Sequence, residues 1–210
     1  MSGEGAPRWL EWAREIQALA QTGHHYARDD FERRRAERLL DLAAEIIAEH
    51  GNLTSDQART AFSSQPGYVT PKVDVRGAVF RGQDLLLVRE AIDGGWTLPG
   101  GWADVGESPR AAVEREVWEE AGLKVRALSL VGAYDANRVE EAMPLFHAYK
   151  LVFLCQILGG ELTPSPETTD LGFFSLDSLP RPFSPHRTAP RHLADALAAV
   201  RDPSRPAVFD

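Results

Sequence analysis

Cysteine is nearly absent from this chain, since Cys155 is the only one among 210 residues. An intrachain disulfide is therefore excluded, and the composition fits a protein of the reducing cytoplasm. The apolar stretch LVFLCQIL around this residue favours a buried, unreactive thiol. We expect a cytoplasmic protein that is held together by a hydrophobic core.

Long apolar runs are also missing. No stretch approaches the roughly 18 apolar residues that a membrane-spanning helix needs, so we expect no membrane partner. The first residues, MSGEGAPRW, have neither the basic start nor the apolar segment of a secretory signal. The sequence therefore predicts a protein that is neither exported nor inserted into a bilayer.

Basic residues are in deficit. The chain has 23 lysines and arginines against 31 aspartates and glutamates, which gives a formal net charge of −8. A protein that coats nucleic acid needs a basic face, so this balance argues against DNA or RNA as the partner. Phosphorylated small molecules stay open as ligands, because a divalent cation can supply the positive charge.

Hydrophobic patterning divides the chain into two parts. Apolar residues recur at helical spacing as far as Ile47, and Thr54 with Gln57 resembles a capping box that opens a third short helix. A linker rich in proline and glycine follows. We predict a small helical domain over residues 1–67 and a mixed α/β domain over residues 68–210.

The second part alternates strand and helix patterns. VDVRGAVF and LLLVRE, joined by the turn RGQD, predict a β-hairpin. HRTAPRHLADALAAV is typical of a final helix. Three further strand candidates are rich in branched and aromatic residues: KVRALSLVGAYD, LFHAYKLVFLCQIL and GFFSLDSLP.

One helix is marked by its ends. Ser108–Pro109 is a typical start, with a cap and then proline in the first turn, and Gly122 is a typical end. At about 100° per residue, the helix has an apolar side opposite an acidic side. The apolar set is Ala111, Val117, Trp118 and Ala121, and the acidic set is Glu116, Glu119 and Glu120.

The three glutamates repel one another, and the helix C-terminus further disfavours negative charge. A lone acidic face of this kind normally points into water. Here TLPGGW precedes the helix with two glycines, where a backbone can approach a ligand, and Glu107 adds a fourth carboxylate. Arg115 lies four residues before Glu119 and can pair with it. A hard divalent cation such as Mg²⁺, which takes carboxylate and phosphate oxygens, accounts for the cluster.

These residues match a known motif at every constrained position. The chain therefore resembles the Nudix hydrolase family, which implies an α/β/α sandwich that hydrolyses a nucleoside diphosphate linked to a moiety X. The resemblance also implies Mg²⁺ or Mn²⁺ as the cofactor. The matching positions are Gly101, Glu107, Arg115, Glu116, Val117, Glu119, Glu120, Gly122 and Leu123.

The same resemblance implies roles for the residues of the motif. The metal ligands would be three glutamates, Glu116, Glu119 and Glu120, together with a backbone carbonyl of Gly100 or Gly101. Arg115 would orient a glutamate, with Glu119 preferred, and Glu107 would support the cluster.

In many Nudix enzymes, a loop before the last strand supplies a further acid. Here that loop, LTPSPETTDLGFF, offers Glu167 as an extra ligand or base and, less well placed, Asp170. An ordinary solvated loop acid is the alternative for Glu167. The general base stays open among Glu119, Glu120 and Glu167.

Five residues outside the motif are candidates for substrate binding. Arg76, on the first strand, is placed to hold a phosphate, although an exposed strand arginine is an equal interpretation. Tyr134, Asp135 and Asn137, in GAYDANR, and His147, in LFHAYK, are candidates to line the pocket for the base or for X. For His147, a histidine satisfied within the sheet is the alternative.

Looser matches extend over most of residues 9–180. They are similar to a Nudix subgroup with a helical N-terminal domain, which includes ADP-ribose and CDP-choline pyrophosphatases and implies a homodimer. We expect ADP-ribose, giving AMP and ribose 5-phosphate, or CDP-choline, giving CMP and phosphocholine, as substrate. One alternative is an enzyme that cleanses oxidised nucleoside triphosphates. Another is a regulator that binds a nucleotide sugar without cleaving it, although the acidic chain and the complete carboxylate set oppose that function.

Overall fold

The structure is a computed structural model that describes residues 7–63, 67–138 and 147–210. Its contacts divide the chain into two compact units. The first unit runs to Pro71 and also includes Asn137 and His147, and the second comprises Lys72–Ala136 and Ala148–Asp210. The division thus falls after Pro71, somewhat beyond the boundary expected from the sequence.

Three helices form the first unit: α1 (Arg8–His25), α2 (Asp30–His50) and α3 (Ser55–Ser63). The predicted capping box before α3 is confirmed. The Thr54 N–H donates to Gln57 Oε1 at 2.9 Å, and the Gln57 N–H donates to Thr54 Oγ1 at 3.2 Å. Mostly small side chains allow the helices to approach closely, and the buried core of the unit is Ala13, Ala20, Leu40, Ala43, Ala44, Ile47, Ala58 and Phe62.

The second unit is built on a seven-stranded sheet. The strands are β1 (Lys72–Arg81), β2 (Asp84–Glu90), β3 (Trp96–Thr97), β4 (Leu123–Asp135), β5 (Ala148–Gly160), β6 (Thr168–Ser175) and β7 (Val208–Phe209), and the helices are α4 (Pro109–Ala121) and α5 (Pro190–Arg201). The strands run in the order β3-β2-β1-β5-β4-β7, and β6 pairs with β2. The pairs β1–β5 and β4–β7 are parallel, and the other pairs are antiparallel.

Each face of this sheet packs against one helix. Successive side chains of β1 point to opposite faces, as in any strand. Val75 and Val79 share a core with Val117 of α4. Ala78 lies in a second core with Leu193 of α5. The expected α/β/α sandwich is therefore confirmed.

The predicted ends of α4 are also confirmed. Ser108 Oγ accepts a hydrogen bond from the Ala111 N–H at 3.2 Å, and Pro109 is the first helical residue. At the other end, Gly122 adopts φ +70°, a left-handed conformation that glycine tolerates best. The helix thus has a fixed length between the glycine-rich loop and β4.

The predicted division of α4 into an apolar back and an acidic front is wrong. The buried residues of the helix are Ala112, Val113, Glu116, Val117, Glu120 and Ala121. Two of the glutamates therefore lie on the buried side, and only Glu119 is exposed. Ala111 and Trp118 are exposed instead, and the Lys124 ammonium lies 5.4 Å from the centre of the Trp118 ring. The buried side is centred on Val113 and Val117, and Glu116 and Glu120 lie at its edge, so both acids are buried.

The expectation for Cys155 agrees with the fold. Cys155 is buried in the core between the sheet and α4, and burial raises the pKa of its thiol to about 12. Such a thiol is unreactive at neutral pH, as predicted. In the described ranges, no helix is both long and apolar enough to cross a membrane.

Candidate active site

Glu120 is held by the glycine-rich loop that follows β3. The residue is 3% exposed, and Oε2 accepts a hydrogen bond from the Gly100 N–H at 2.8 Å. Gly100 adopts φ +145°, and a Cβ at this position would collide with the Val75 carbonyl oxygen. Glycine is therefore required here, both for its conformation and for the close approach of the loop to β1.

Glu116 lies against the next glycine. Glu116 is 9% exposed, and a Cβ on Gly101 would stand only 2.9 and 3.0 Å from the two carboxylate oxygens. The Gly101 carbonyl accepts a hydrogen bond from the Val75 N–H at 2.8 Å. The two predicted glycines thus form one wall of the space that contains Glu116 and Glu120.

Arg115 connects the remaining acids of the motif. Its Nη1 donates to Glu116 Oε1 at 2.9 Å and to Glu119 Oε2 at 2.8 Å. Its Nε and Nη2 donate to the two oxygens of Glu107, each at 2.9 Å. The hydrogen bonds from Arg115 hold the pKa of Glu107 below its usual range. Glu107 therefore fixes the guanidinium, which in turn orients Glu116 and Glu119.

The buried acids are electrostatically strained. Burial raises the pKa of Glu120 to about 7, although the charge of Arg76 and the Gly100 N–H oppose the shift. Burial also raises the pKa of Glu116. A nearby cation would favour the ionised form of both groups, and the donor set consists of oxygens only, as Mg²⁺ and Mn²⁺ prefer. The residues present therefore fit a hard divalent ion.

Within the described ranges, no group of three acidic, histidine or cysteine side chains is arranged to hold a metal ion. Arg115 Nη1 donates to both Glu116 and Glu119. Arg115 holds Oε2 of Glu119, so Oε1 of Glu119 is the oxygen left for a cation bound by all three predicted glutamates. The Glu119 side chain is 55% exposed and has room to turn.

Glu167 lies on an exposed loop that is tied to α4. The neighbouring Thr168 is buried, and its Oγ1 donates to the Glu120 carbonyl at 3.0 Å. The Glu167 carbonyl accepts a hydrogen bond from the Ala91 N–H at 2.8 Å. Asp170 lies farther along, in β6, paired with Arg89 of β2. The loop thus brings Glu167 to the end of the helix that carries Glu120, and its catalytic role stays a prediction.

Arg76 belongs to a buried ionic cluster that the sequence did not reveal. Its Nε and Nη2 donate to the two Asp74 oxygens at 2.8 Å each, and its Nη1 donates to the Leu98 carbonyl at 3.2 Å. Lys150 Nζ donates to Asp74 Oδ1 at 2.9 Å. Burial raises the pKa of Asp74, but the charges of Arg76 and Lys150 outweigh it and bring the pKa to about 2. Arg76 is only 1% exposed, so its donors point into the protein.

The other predicted substrate contacts are divided between the two units. Tyr134 is buried beneath α5, where its hydroxyl donates to Asp195 Oδ2 at 3.1 Å. The backbone N–H of Asp135 donates to Asp210 Oδ2 at 2.8 Å. Asn137 and His147 belong to the first unit. Their roles in substrate binding stay predictions.

The comparisons with known proteins cover both units. Residues 7–62 match the family described as the UDP-X-like, N-terminal oligomerisation domain. Residues 70–197 match the NUDIX domain. The two matches follow one another along the chain, with the helical part first.

Three relatives illustrate the similarity. The chain is 36% identical to the putative ADP-ribose pyrophosphatase YjhB of Bacillus subtilis, over 97% of each protein. It is 43% identical to the crystal structure of an ADP-ribose pyrophosphatase from Streptococcus suis, covering 67% of this chain and 100% of the other with a TM-score of 0.61. It is 29% identical to the crystal structure of a UDP-X diphosphatase, over 99% and 100% of the two chains, with a TM-score of 0.62.

The sandwich fold, the buried glutamates of α4 and the glycine-rich loop that receives them agree with these matches. With one family model covering residues 70–197 and a relative aligned over 97% of both chains, the protein belongs to the Nudix hydrolase family.

Proposed function

We propose that this protein is a metal-dependent pyrophosphohydrolase that cleaves a nucleoside diphosphate linked to a moiety X into a nucleoside monophosphate and a phosphorylated X. The observation that carries the proposal is the pair of buried carboxylates, Glu116 and Glu120, against Gly100 and Gly101. ADP-ribose is the first candidate substrate, because the names of two relatives, from Bacillus subtilis and Streptococcus suis, include ADP-ribose pyrophosphatase. CDP-choline and UDP-linked compounds are the next candidates.

The reaction is the attack of water on a pyrophosphate phosphorus. A bound Mg²⁺ or Mn²⁺ would lower the pKa of water and neutralise phosphate oxygens. Glu116, Glu119 and Glu120 would hold the ion, and Gly100 keeps Glu120 in place through its N–H. The oxygen-only ligand set supports a hard cation without choosing between the two metals.

The chain offers two kinds of proton acceptor. Glu119 and Glu167 are exposed, whereas Glu120 is buried and held by a hydrogen bond. An exposed carboxylate can approach the attacking water more easily than a buried one can. Glu167 is also attached to the end of α4 through Thr168. Glu167 is therefore our preferred general base.

A homodimer formed through the first unit is part of the proposal. Trp12, Leu19 and Tyr26 recur every seven residues and are exposed. Residues at this interval lie along one side of a helix or its immediate continuation, so they form an apolar stripe on α1. The family matched by residues 7–62 is described as an oligomerisation domain, which supports a second copy as the partner of this stripe. The single cysteine supports a cytoplasmic location.

One assay tests the function directly. The protein is incubated with Mg²⁺ or Mn²⁺ and ADP-ribose, CDP-choline, UDP-sugars or nucleoside triphosphates, and the products are identified. We expect a nucleoside monophosphate and a phosphorylated X from one of the diphosphate compounds. Glu120→Gln is expected to lower kcat by at least about a hundredfold, whereas the exposed Glu161→Gln is the matched control.

Three outcomes contradict the proposal. Preferred hydrolysis of triphosphates would favour the cleansing enzyme. DNA binding without turnover of any nucleotide would favour the regulator. Full activity of Glu120→Gln would show that the metal site has been assigned to the wrong residues.

A further inference from the structure

A loop of the second unit is fastened to the strand that leads into the glycine-rich loop. Ser184 and Thr188 are both buried. The Ser184 N–H donates to the Trp96 carbonyl at 2.9 Å. Thr188 Oγ1 accepts a hydrogen bond from the Leu98 N–H at 3.0 Å and lies 2.8 Å from Thr97 Oγ1. The segment between these two anchors is therefore held against residues 96–98, which lead into Gly100.

Arg187 lies between the anchors and forms an ion pair with Glu90, a buried residue at the end of β2. Its Nη1 is 3.0 Å from Glu90 Oε1, although the geometry is not that of a hydrogen bond. Burial raises the pKa of Glu90, the charge of Glu167 adds to this rise, and the charges of Arg187 and then Arg76 oppose it. Burial also raises the pKa of Glu120, and the charge of Glu90 contributes to that rise. Glu90 thus lies within electrostatic reach of both acids, and Arg187 is the cation in direct contact with it.

The other cations around the site are already bound to protein groups. Arg76 and Lys150 are almost completely buried, and their donors are directed at Asp74 and the Leu98 carbonyl. Arg115 is engaged by three glutamates. Among the described residues that we have placed at the site, these three leave little capacity for a substrate anion.

Arg187 differs from them in its exposure. Its side chain is 32% exposed, and the described contact of the guanidinium is the one between Nη1 and Glu90. A guanidinium carries five N–H donors in a planar fork that matches phosphate oxygens. One edge can therefore stay on Glu90 while the other edge binds an anion from the solvent side.

We propose that Arg187 binds the diphosphate of the substrate and that Glu90 holds its guanidinium in position. This inference rests on the proposed function, since it presumes a nucleoside diphosphate as the ligand. The phosphate contact that the sequence suggested for Arg76, whose donors point into the protein, is thereby assigned to Arg187, in the loop before α5. Arg187 is then a substrate-binding residue outside the Nudix motif.

The test compares Arg187→Gln with Arg181→Gln. Arg181 is an exposed arginine of the same segment, with its guanidinium 4.3 Å from the centre of the Phe183 ring, so the control removes the same charge nearby. We expect Arg187→Gln to raise KM for the best substrate about tenfold with a smaller change in kcat, and to weaken calorimetric binding of ADP in EDTA by a similar factor. Arg181→Gln is expected to change neither quantity. Wild-type affinity of Arg187→Gln for ADP would overturn the inference.

A second variant separates substrate binding by Arg187 from a purely structural role. Arg187→Gln leaves Glu90 as a buried carboxylate without its cation, which lowers Tm. In Glu90→Gln/Arg187→Gln the buried charge is gone, so we expect Tm to recover while ADP binding stays weak. If ADP binding recovers together with Tm, Arg187 acts only by neutralising Glu90, and the inference is wrong.

The two proposals fail in different ways. If the wild type hydrolyses ADP-ribose and Arg187→Gln binds ADP normally, the inference fails and the function stands. If the wild type hydrolyses no diphosphate compound, the function fails. ADP binding in EDTA needs no turnover, so the difference between Arg187→Gln and Arg181→Gln still decides the role of Arg187.

Discussion

The carboxylate of Glu120 and the backbone N–H of Gly100 are joined by a 2.8 Å hydrogen bond across 20 residues of sequence. This bond fastens the acidic side of α4 to the loop after β3. The position of the proposed metal site therefore depends on backbone geometry as much as on the glutamates.

Gly100→Ala tests that dependence. The new Cβ would meet the Val75 carbonyl at φ +145°, so we expect a loss of about 3 kcal/mol in the free energy of unfolding, together with the loss of most activity. Gly106→Ala is the matched control, because Gly106 also has a positive φ, +96°, but has nothing within 4 Å of the added Cβ. Urea unfolding and kcat check both variants. Equal effects of the two substitutions would show that the collision is unimportant.

Arg115→Lys tests the connection among the acids. Lysine keeps the charge but cannot donate to Glu107, Glu116 and Glu119 in the planar geometry of the guanidinium. We expect Mn²⁺ affinity, measured by calorimetry, to fall about tenfold or more, because the residues that orient metal ligands commonly have such effects. Arg110→Lys, at an exposed position of the same helix, is expected to bind Mn²⁺ as the wild type does. Unchanged affinity in Arg115→Lys would remove its positioning role.

The buried side chain of His192 makes a contribution to the free energy of unfolding that is lost in acid. Burial, with the charges of Lys150 and Arg191, lowers its pKa from 6.5 to about 3. The folded protein therefore binds fewer protons than the unfolded chain between these values, and the contribution of this group is full above pH 6.5 and falls as the pH drops towards 3. Between pH 7 and pH 5 we expect a loss of roughly 2 kcal/mol from this group.

Urea unfolding of the metal-free protein at the two pH values measures this loss. His192→Gln removes the titrating group, so from pH 7 to pH 5 its free energy of unfolding is expected to fall by about 2 kcal/mol less than that of the wild type, whatever its absolute stability. The raised pKa values of Glu116 and Glu120 act in the opposite direction in both proteins and cancel in this comparison. His50→Gln, at an exposed position, is expected to keep the dependence of the wild type. The same pH dependence in both variants would contradict the assignment.

Leu19→Asp tests the apolar stripe of α1. The residue is exposed, so a charge there costs little in an isolated chain but is strongly unfavourable inside an interface. We expect analytical ultracentrifugation to find a monomer or a much weaker dimer. Val105→Asp replaces another exposed apolar residue, outside the stripe, and is expected to leave the assembly intact. A stable dimer of Leu19→Asp would exclude the stripe as the interface.

Much of this fold follows from sequence patterns. The ends of α4 were predictable because Ser108, Pro109 and Gly122 act through local geometry. The orientation of α4 was not, because two acids, Glu116 and Glu120, lie on its buried side. A helical wheel assigns acids to the solvent, and nothing local to α4 says that a glycine loop will cover them.

The ionic cluster marks another limit. Asp74 and Arg76 lie two residues apart on one strand, so alternation alone places them on the same face. Lys150, however, is 76 residues from Asp74 and reaches it only because β1 and β5 pair in parallel. Strand register is a long-range property, and a single sequence does not specify which charges it brings together.

The bond from Thr168 Oγ1 to the Glu120 carbonyl joins the loop of Glu167 to the last turn of α4. Terminal carbonyls of a helix have no partner within the helix, so this side chain supplies what the backbone lacks. We therefore expect opening of the loop and fraying of the helix end to be coupled. The amide protons of the last turn and of the loop would exchange with solvent together. Glu120 and Glu167 would then leave the site and return to it together.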